Sequence, residues 1–200
     1  MEKDYFGHKA EIYEQDRNRV ENVENIAKTL LSNVQLSKDM HIMDFGSGTG
    51  LLLEKVAPFV KKITAVDISP SMNNQLNEKR QSLECELEIL ELDLSKNKLD
   101  RKFNGIISSM TMHHVEDIKT MFADFYKMLN FNGIIAIADL DTEDGSFHTE
   151  DTGAFHFGFD RGEISEIAKS VGFKNVKTTL ASIVKKPYGE FPAFLLTGKK

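Results

Sequence analysis

The sequence predicts a doubly wound α/β domain, with a mostly parallel seven-stranded sheet, helices on both of its faces and a C-terminal antiparallel hairpin. Three observations lead to this prediction. Up to residue 140, apolar segments of strand length alternate with segments whose apolar residues recur at helical spacing. The strand segments are almost continuously apolar, which is typical of parallel strands buried on both faces. Beyond residue 160, a helical segment precedes two strand-like segments separated by a turn.

The individual elements follow from local signals along the 200 residues. Ser69 and Pro70 predict a helix start, because serine is a favoured N-cap and proline fits the first helical position. A turn around Pro187 and Gly189 is predicted to join the last two strands. The predicted helices cover residues 18–34, 70–83, 117–129 and 161–172, and one more begins near Thr49. The predicted strands cover residues 41–45, 61–68, 86–92, 103–110, 132–140, 173–185 and 191–199.

The composition indicates a single globular domain over residues 1–200. We expect residues 1–34 to form an N-terminal lid and helix, 35–140 a cofactor-binding core, and 141–200 a substrate loop, helix and closing hairpin. The formal charge of −6 disfavours nucleic acids and anionic membranes as partners. The polar N-terminus, the single cysteine (Cys85) and the lack of an apolar stretch of about 20 residues predict a cytoplasmic protein. No sequence pattern predicts its oligomeric state.

The stretch GSGTG at residues 46–50 directly follows the first predicted strand. In a doubly wound sheet, ligands bind beyond the carboxyl ends of strands, near the point where the winding reverses. Glycines there let the chain turn tightly and bring bare backbone against a ligand, and the following helix offers its N-terminal N–H groups. By itself, this turn fits both a ligand site and a plain strand-to-helix connection.

Two aspartates favour the ligand site. Asp67 ends the second strand about 20 residues after the first glycine, where a carboxylate can accept both hydroxyls of a ribose. Asp93 holds the matching place after the third strand, where it could meet an adenine amino group. Either aspartate alone could be a helix cap or a turn residue. Together with the glycines, they indicate a cofactor that contains adenosine.

The glycine spacing separates two kinds of adenosine cofactor. Dinucleotide enzymes normally carry G-x-G-x-x-G, whereas residues 46–50 have G-x-G-x-G. Asp44, which precedes the first glycine by two positions, would repel a pyrophosphate but would suit a cationic group. We therefore favour a cofactor with a positive charge over a nicotinamide dinucleotide.

Five stretches between residues 35 and 140 resemble, in order and spacing, the successive motifs of the Rossmann-like S-adenosylmethionine-dependent methyltransferases. They are HIMDFGSGTG, ITAVDISPSM, LELDLS, FNGIISSMTMHHVED and MLNFNGIIAIAD. The closing helix and hairpin are similar to those of the family as well. The resemblance implies S-adenosylmethionine as the cofactor and points to a member that acts on small molecules, without naming the substrate.

The resemblance also implies a set of cofactor-binding residues. The methionyl part and its ammonium would lie against Asp44 and the turn, with Ser109 near the same end, and Asp67 would hold the ribose hydroxyls. Four residues after the second and third strands would surround the adenine. These four are Ile68, Met72, Asp93 and Leu94. The turn residues concerned are Gly46, Ser47, Gly48, Thr49 and Gly50.

The N-terminal stretch HKAEIYEQD is similar to a tyrosine-bearing segment that lies over the cofactor as a lid in many small-molecule members of this family. Tyr13 is the residue that matches that tyrosine, and Tyr5 and Phe6 are weaker candidates. The alternative is that Tyr13 is an ordinary packing residue.

The acceptor side of the site is expected near the ends of the fourth and fifth strands. Transfer of an activated methyl group needs no metal, and positioning of the acceptor can supply much of the acceleration. A general base helps where the acceptor must lose a proton. Residues 141–160 form a long connection that carries His148 and His156 among several phenylalanines. We predict that it folds over the acceptor with one of these histidines as base, the alternative being a pinned surface loop.

Other polar residues near these strand ends have two interpretations. His113 and His114 are expected to play a structural part at a helix start. Asp139 and Asp141 either touch the substrate or are solvated loop acids. No metal site is predicted, because the potential ligands in the long connection match no common metal-site spacing. Those potential ligands are His148, Glu150, Asp151 and His156.

The leading prediction is methyl transfer from S-adenosylmethionine to a small-molecule acceptor, whose nucleophilic atom the sequence does not reveal. One alternative is a nicotinamide oxidoreductase, which the glycine spacing and Asp44 disfavour. Another is a non-catalytic protein that binds the cofactor without turnover, because the motifs report binding rather than chemistry.

Overall fold

Seven strands form one sheet in a computed structural model that describes residues 4, 5 and 7–200. The apolar segments of the first half become its parallel strands, as expected. The strands are β1 His41–Phe45, β2 Lys62–Asp67, β3 Glu86–Glu91, β4 Phe103–Ser109, β5 Leu129–Leu140, β6 Lys174–Lys186 and β7 Gly189–Lys199. The helices are α1 Arg17–Asn33, α2 Leu51–Val56, α3 Pro70–Glu78, α4 Ile118–Met128 and α5 Arg161–Ser170.

The strand order is β3-β2-β1-β4-β5-β7-β6. The first five of these strands are parallel, whereas β7 runs antiparallel to both β5 and β6. The predicted doubly wound sheet with a closing hairpin is therefore confirmed. Because the winding reverses between β1 and β4, a crevice is expected beyond the carboxyl ends of these two strands.

Apolar side chains cover the sheet on both faces. On one face, Phe122 and Phe125 of α4 pack with Ile164 of α5. On the other face, Leu30 of α1 and Leu53 of α2 belong to a second buried cluster. All five side chains are essentially excluded from water. This two-sided burial explains why the parallel strands are almost continuously apolar.

The helix boundaries follow their capping residues. The Ser69 hydroxyl accepts the Met72 N–H, and Pro70 begins α3, as predicted. The α3 helix ends at Glu78, earlier than predicted, and a separate 3-10 turn over Arg80–Ser82 continues the chain. Asp117 caps α4, so His113 and His114 do not begin that helix. They lie instead in a preceding 3-10 turn, Met112–His114.

The start of β5 differs from the prediction for a physical reason. The strand begins at Leu129, because Leu129 pairs with Phe103 before the chain bulges and pairing resumes at Gly105 and Ile134. Within the described part of the chain, no helix combines the length and apolar character needed to cross a membrane.

Candidate active site

The glycine turn, residues 46–50, has the backbone conformation that its composition predicts. Gly46, Gly48 and Gly50 have φ angles of 68°, 54° and 89°, a region that other residues rarely adopt. A Cβ atom at Gly46 would lie 2.2 Å from the Thr111 side chain, and one at Gly50 would lie 2.5 Å from Leu76 Cδ1. At Gly48, a Cβ would meet nothing within 4 Å among the described residues. The outer two glycines are thus required by packing, whereas Gly48 presents bare backbone to open space.

Asp44, in strand β1, supplies a buried carboxyl group beneath this turn. The residue is 1% exposed, and its Oδ2 atom has no hydrogen-bond partner among the described residues. Burial, reinforced by the negative charge of Asp67, raises the pKa of Asp44 to about 8. A cationic group placed against this carboxyl would reverse that shift, because it would compensate the buried negative charge.

Three hydroxyl groups around the glycine turn share this unpaired state. Each oxygen is buried and lacks a hydrogen-bond partner in the part of the chain that the structure describes. Buried polar atoms in folded proteins are nearly always hydrogen-bonded, so a cluster of unpaired ones indicates that a polar ligand completes the site. The three residues are Ser47, Thr49 and Ser109.

Asp67 ties the glycine turn to the end of β2. Its Oδ2 atom accepts the Gly48 N–H at 2.8 Å, and its Oδ1 atom accepts the Ser69 N–H at 2.8 Å. Burial raises the pKa of Asp67, and these two hydrogen bonds oppose the shift. Each carboxylate oxygen keeps a second lone pair, so the group can still accept hydroxyl hydrogens from a ribose.

The residues predicted to surround adenine lie after β2 and β3. Ile68 is 57% exposed at the mouth, whereas Met72 and Leu94 are buried. The Asp93 carboxylate accepts the Ser95 N–H at 2.9 Å and also pairs with Lys96 at 3.1 Å. Burial opposes its ionisation, but the contacts with Ser95 and Lys96 hold the pKa of Asp93 below its usual value. Asp93 therefore also stabilises the turn in which it lies, which is the alternative role considered for this residue.

Tyr13 lies in a 3-10 turn, Ala10–Gln15, close to the cofactor crevice. The guanidinium carbon of Arg19 stands 3.9 Å from the centroid of its ring, and Arg19 Nη1 donates to the Tyr13 carbonyl at 2.5 Å. Burial raises the pKa of Tyr13, the positive charge of Arg19 opposes this shift, and the negative charge of Asp67 adds to it. The proposed lid position fits this arrangement. Phe6 lies outside the described residues.

The crevice fits S-adenosylmethionine in three respects. Asp44 is a buried carboxyl group with an unpaired oxygen, Gly48 leaves open space beside the backbone, and three hydroxyl groups in and near the turn lack partners among the described residues. The ammonium group of the cofactor would suit Asp44, its bulk would fit beside Gly48, and its carboxylate could accept hydrogen bonds from the hydroxyl groups. The donor set therefore suits this cofactor.

A cluster of three histidines lies beside the crevice, after β4. His113, His114 and His148 each offer a ring nitrogen, and these three atoms lie within 4.8 Å of one another. We call this group the histidine cluster. It lies near the glycine turn, because Thr111, just ahead of His113 in the chain, packs on Gly46.

Asp139, near the end of β5, holds His113 in position through two hydrogen bonds. Its Oδ1 atom accepts the Nδ1–H of His113 at 2.7 Å, and its Oδ2 atom accepts the His113 backbone N–H at 3.2 Å. Burial opposes ionisation of Asp139, yet the His113 contacts hold the pKa of this carboxyl below its usual value. Asp139 is completely buried, so the interpretation as a solvated loop acid is wrong for this residue. Asp141 instead forms a two-point ion pair with Arg161, at 2.6 and 2.7 Å.

The covering loop, residues 141–160, brings His148 to the cluster. Phe147 is buried against Phe191, and its carbonyl accepts a hydrogen bond from the Lys186 ammonium. His148 Nε2 then lies 3.2 Å from His113 Nε2. Burial, and secondarily the neighbouring His113, lowers the pKa of His148 to about 3 and that of His114 to about 4. Both rings are therefore neutral near pH 7.

His156 is placed elsewhere in the covering loop. Its Nε2 atom lies 2.9 Å from the Val115 carbonyl, and its backbone N–H donates to the carbonyl of His113. The ring lines a separate cavity of about 740 Å³ between the starts of α4 and α5. The structure thus brings one of the two predicted bases, His148, into the histidine cluster, and the role predicted for His156 remains a prediction.

The four metal ligands considered from the sequence are not brought together. Glu150 instead forms an ion pair with Lys9. Lys9 belongs to the described residues before Arg17, which we call the N-terminal segment. His113 and His114 are functional candidates to which the sequence analysis assigned only a structural part. One signal could have revealed them: parallel strands β4 and β5 are adjacent, so residues just after β4 and at the end of β5 must meet.

The comparisons with known proteins identify the family of this chain. The family described as "Methyltransferase domain" matches residues 15–178. An uncharacterized methyltransferase of Schizosaccharomyces pombe is 29% identical over 182 residues, which is 82% of this chain and 63% of that protein. The ubiquinone biosynthesis O-methyltransferase of Pelagibacter ubique is 28% identical over 121 residues, or 58% of this chain and 50% of that one. The chain thus spans between half and just under two thirds of these curated relatives.

Solved structures show the same fold. A chain from the complex between the Haloferax volcanii Trm112 methyltransferase activator and a putative methyltransferase has a TM-score of 0.78, at 15% identity. The alignment covers 100% of the present chain and 99% of that chain. The family match and the fold together place the chain in the class I, Rossmann-like family of S-adenosylmethionine-dependent methyltransferases. With the family match over most of its length, the chain belongs to the methyltransferase-domain family. The resemblance drawn from the sequence motifs is confirmed.

Proposed function

We propose that this protein transfers the methyl group of S-adenosylmethionine to a small, oxygen-bearing molecule that lies beside the histidine cluster. The observation that carries the proposal is that the N-terminal segment and the covering loop contact each other. The ring of Tyr5 packs on Gly153, where a Cβ atom would lie 3.1 Å from ring atom Cε2. Lys9 forms an ion pair with Glu150. These contacts support a crevice covered by both segments, which favours an acceptor small enough to be enclosed.

The ends of the covering loop are held firmly, so the enclosure is preorganised. The Phe159 N–H donates to the Leu140 carbonyl, and the Thr142 N–H donates to the Phe159 carbonyl. The two-point ion pair of Arg161 with Asp141 lies at the same point, where the two ends of the loop meet. A loop whose ends are joined in this way can hold His148 in a fixed position relative to a bound acceptor.

Positive charges near the entrance suggest an anionic or carboxylated acceptor. Burial lowers the pKa of Lys9, and the nearby charges of Arg19 and Lys186 lower it further. Glu150 pairs with Lys9 and Asp16 pairs with Arg19, whereas the Lys186 ammonium donates to a backbone carbonyl, that of Phe147. An acceptor with a carboxylate or phosphate would complement the charge of Lys186 and would be steered towards it.

The chemistry needs little from the protein beyond placement. Bound S-adenosylmethionine supplies a methyl group already activated by the sulfonium. The chain's task is to align the acceptor with that methyl group and to take up a proton where the acceptor carries one. An oxygen acceptor is consistent with the O-methyltransferase of Pelagibacter ubique among the relatives.

The test is release of S-adenosylhomocysteine by purified protein with a panel of small acceptors. The panel should contain hydroxylated and carboxylated molecules, their amine counterparts, and a transfer RNA pool. We expect turnover with a hydroxylated anionic acceptor and none with Asp67→Ala. Turnover with RNA alone would contradict the small-molecule assignment. Tight cofactor binding with no turnover across the panel would favour the non-catalytic alternative.

A further inference from the structure

The rings of the histidine cluster surround one point. The ring centroids of His113 and His114 are 4.2 Å apart, those of His113 and His148 are 5.2 Å apart, and those of His114 and His148 are 6.0 Å apart. The Nε2 atoms of His113 and His148 lie 3.2 Å apart, and the ligand atoms of all three rings lie within 4.8 Å of one another. Four nitrogens held at about 2.0–2.1 Å by a tetrahedral ion would be separated by roughly 3.3 Å. The separation between His113 and His148 is close to that value, and the third ring is within a small movement of it.

The buried Asp139 fixes which nitrogen of His113 faces the other two rings. An ionised carboxylate can only accept, so His113 must carry its hydrogen on Nδ1, 2.7 Å from Asp139 Oδ1. The Leu140 backbone N–H also donates to Asp139 Oδ1, at 2.8 Å, and holds the carboxylate in place. The lone pair of His113 Nε2 therefore points towards His148. A carboxylate that orients a histidine in this way is the usual outer support of a metal-binding imidazole.

The three ligands are held on two well-anchored segments. His113 and His114 follow β4 in a 3-10 turn, and the His113 carbonyl accepts the backbone N–H groups of Phe155 and His156 from the covering loop. Phe147 anchors His148 from the other side. The loop is thus attached to the hairpin just before His148 and to the 3-10 turn after it, which is the preorganisation that a binding site requires.

We propose that His113, His114 and His148 bind a divalent transition-metal ion of the zinc type, with Asp139 orienting His113. Three imidazole nitrogens without a carboxylate in the inner set favour Zn²⁺, Co²⁺ or Ni²⁺ over Mg²⁺ or Ca²⁺, which prefer oxygen ligands. Three protein ligands leave a fourth position of a tetrahedral ion for water or for an oxygen of the acceptor, as in catalytic zinc sites.

The role of the ion, though not its binding, rests on the proposed methyl transfer. An acceptor hydroxyl that occupies the fourth position would lose its proton more easily, because the ion stabilises the oxygen anion. The proton would leave to solvent, and the oxygen would form its bond to the methyl carbon. The carbon–sulfur bond would break with both electrons kept by sulfur, which yields neutral S-adenosylhomocysteine. A hydroxylated acceptor is thus the substrate class that this site selects.

The test measures the metal directly on the whole chain. Protein stripped with a chelator is titrated with Co²⁺, while visible absorption reports tetrahedral coordination, and then with Zn²⁺ in competition. We expect one ion per chain with an intense tetrahedral spectrum. His148→Ala should lower the affinity at least 100-fold, and Asp139→Asn should lower it 10- to 100-fold. His156→Ala is the matched control, because it removes a histidine of the same loop that lies outside the cluster.

Binding of less than one equivalent overturns the proposal, and so does equal affinity in wild type and His148→Ala. His114→Gln is a second ligand variant, and it is less prone to misfold because His114 is less buried than His113. A cooperative thermal unfolding transition shows that this variant is folded. Calorimetry with S-adenosylmethionine on the metal-free protein separates the two proposals. Cofactor binding without metal binding would refute the proposed metal site and leave the methyltransferase proposal standing. Metal binding without cofactor binding would refute the methyltransferase proposal and leave the metal site standing.

Discussion

The two halves of the active-site edge are built in different ways. The cofactor half consists of backbone turns and short stretches of consecutive residues, 44–50 and 67–72, that follow β1 and β2. The acceptor half consists of side chains from three separate segments, represented by His113, Asp139 and His148. The first half depends on main-chain conformation, and the second depends on tertiary contacts.

This difference suggests where the protein's specificity resides. The φ angles of the glycine turn admit few alternatives, so the cofactor half can change little without loss of the fold. The acceptor half can change by substitution of individual side chains. The choice of acceptor is therefore expected to depend on the histidine cluster and on the covering loop.

Replacement of His148 by alanine tests whether the acceptor half has one chemical centre. With an acceptor found in the screen, we expect kcat to fall by roughly 10²- to 10⁴-fold, the range for loss of a proton-handling group, while the affinity for S-adenosylmethionine stays within about twofold. His156→Ala should give a much smaller loss. Equal losses in the two variants, measured by single-turnover kinetics, would show that the covering loop acts as a whole rather than through the cluster.

The Asp44→Asn variant tests the cofactor half through its pH dependence. The folded protein retains a proton on Asp44 that the unfolded chain releases, so wild-type stability without cofactor should fall as pH rises from about 4 to 8. The asparagine variant lacks this loss and should exceed wild type at pH 8, by on the order of 5 kcal/mol in the free energy of unfolding. Urea unfolding at pH 5 and pH 8 measures the difference.

The same carboxyl should link cofactor binding to proton release. An ammonium group favours the ionised form of Asp44, so wild-type affinity for S-adenosylmethionine should rise up to tenfold per pH unit below about pH 8. Calorimetry in two buffers with different ionisation enthalpies counts the released proton. Asp44→Asn should bind weakly and release none. A flat pH profile in wild type would show that Asp44 does not face the ammonium.

A pair of glycine variants sharpens the contrast between packing and ligand contact. Gly46→Ala should destabilise the protein by roughly 2–4 kcal/mol, because it forces a left-handed residue against Thr111. Gly48→Ala adds a methyl group in open space and should cost only about 1–2 kcal/mol for its backbone. Its affinity for S-adenosylmethionine should nevertheless fall at least tenfold. Unchanged cofactor affinity in a folded Gly48→Ala protein would show that the cofactor does not contact this turn.

Arg161→Ala is expected to have the smallest effect on stability and on kinetics. It removes the ion pair at the point where the two ends of the covering loop meet. The ion pair with Asp141 is partly exposed, so its loss should cost about 1 kcal/mol or less. We expect KM for the acceptor to rise a few-fold with the affinity for S-adenosylmethionine unchanged. Lys169→Ala, which breaks an exposed pair with Glu166, serves as the control for charge removal on the same helix.

The local structure of the cofactor half could be predicted from the sequence, because each of its features has a local cause. Gly46, Gly48 and Gly50 signal positive φ angles, and Ser69 with Pro70 signals a helix start wherever they occur. The strand alternation then determines that these signals meet at one edge of the sheet. The class of fold and cofactor follows from such signals alone.

The acceptor half could not be predicted to the same depth. His113 and Asp139 are distant in sequence and meet only because β4 and β5 pair side by side. His148 reaches them because Phe147 packs against Phe191 on the hairpin. No local pattern encodes that contact, so the sequence offered His148 and His156 as equals. The tertiary packing separates the two.

The most direct test of the cofactor site is calorimetric titration with S-adenosylmethionine, with NADH as the control ligand. We predict one site with an affinity on the order of micromolar, and a loss of at least tenfold in Asp67→Ala that still unfolds cooperatively. NADH should give no specific heat. Absence of S-adenosylmethionine binding by folded wild-type protein, or tighter binding of NADH, would contradict the assignment of this edge to the methyl donor.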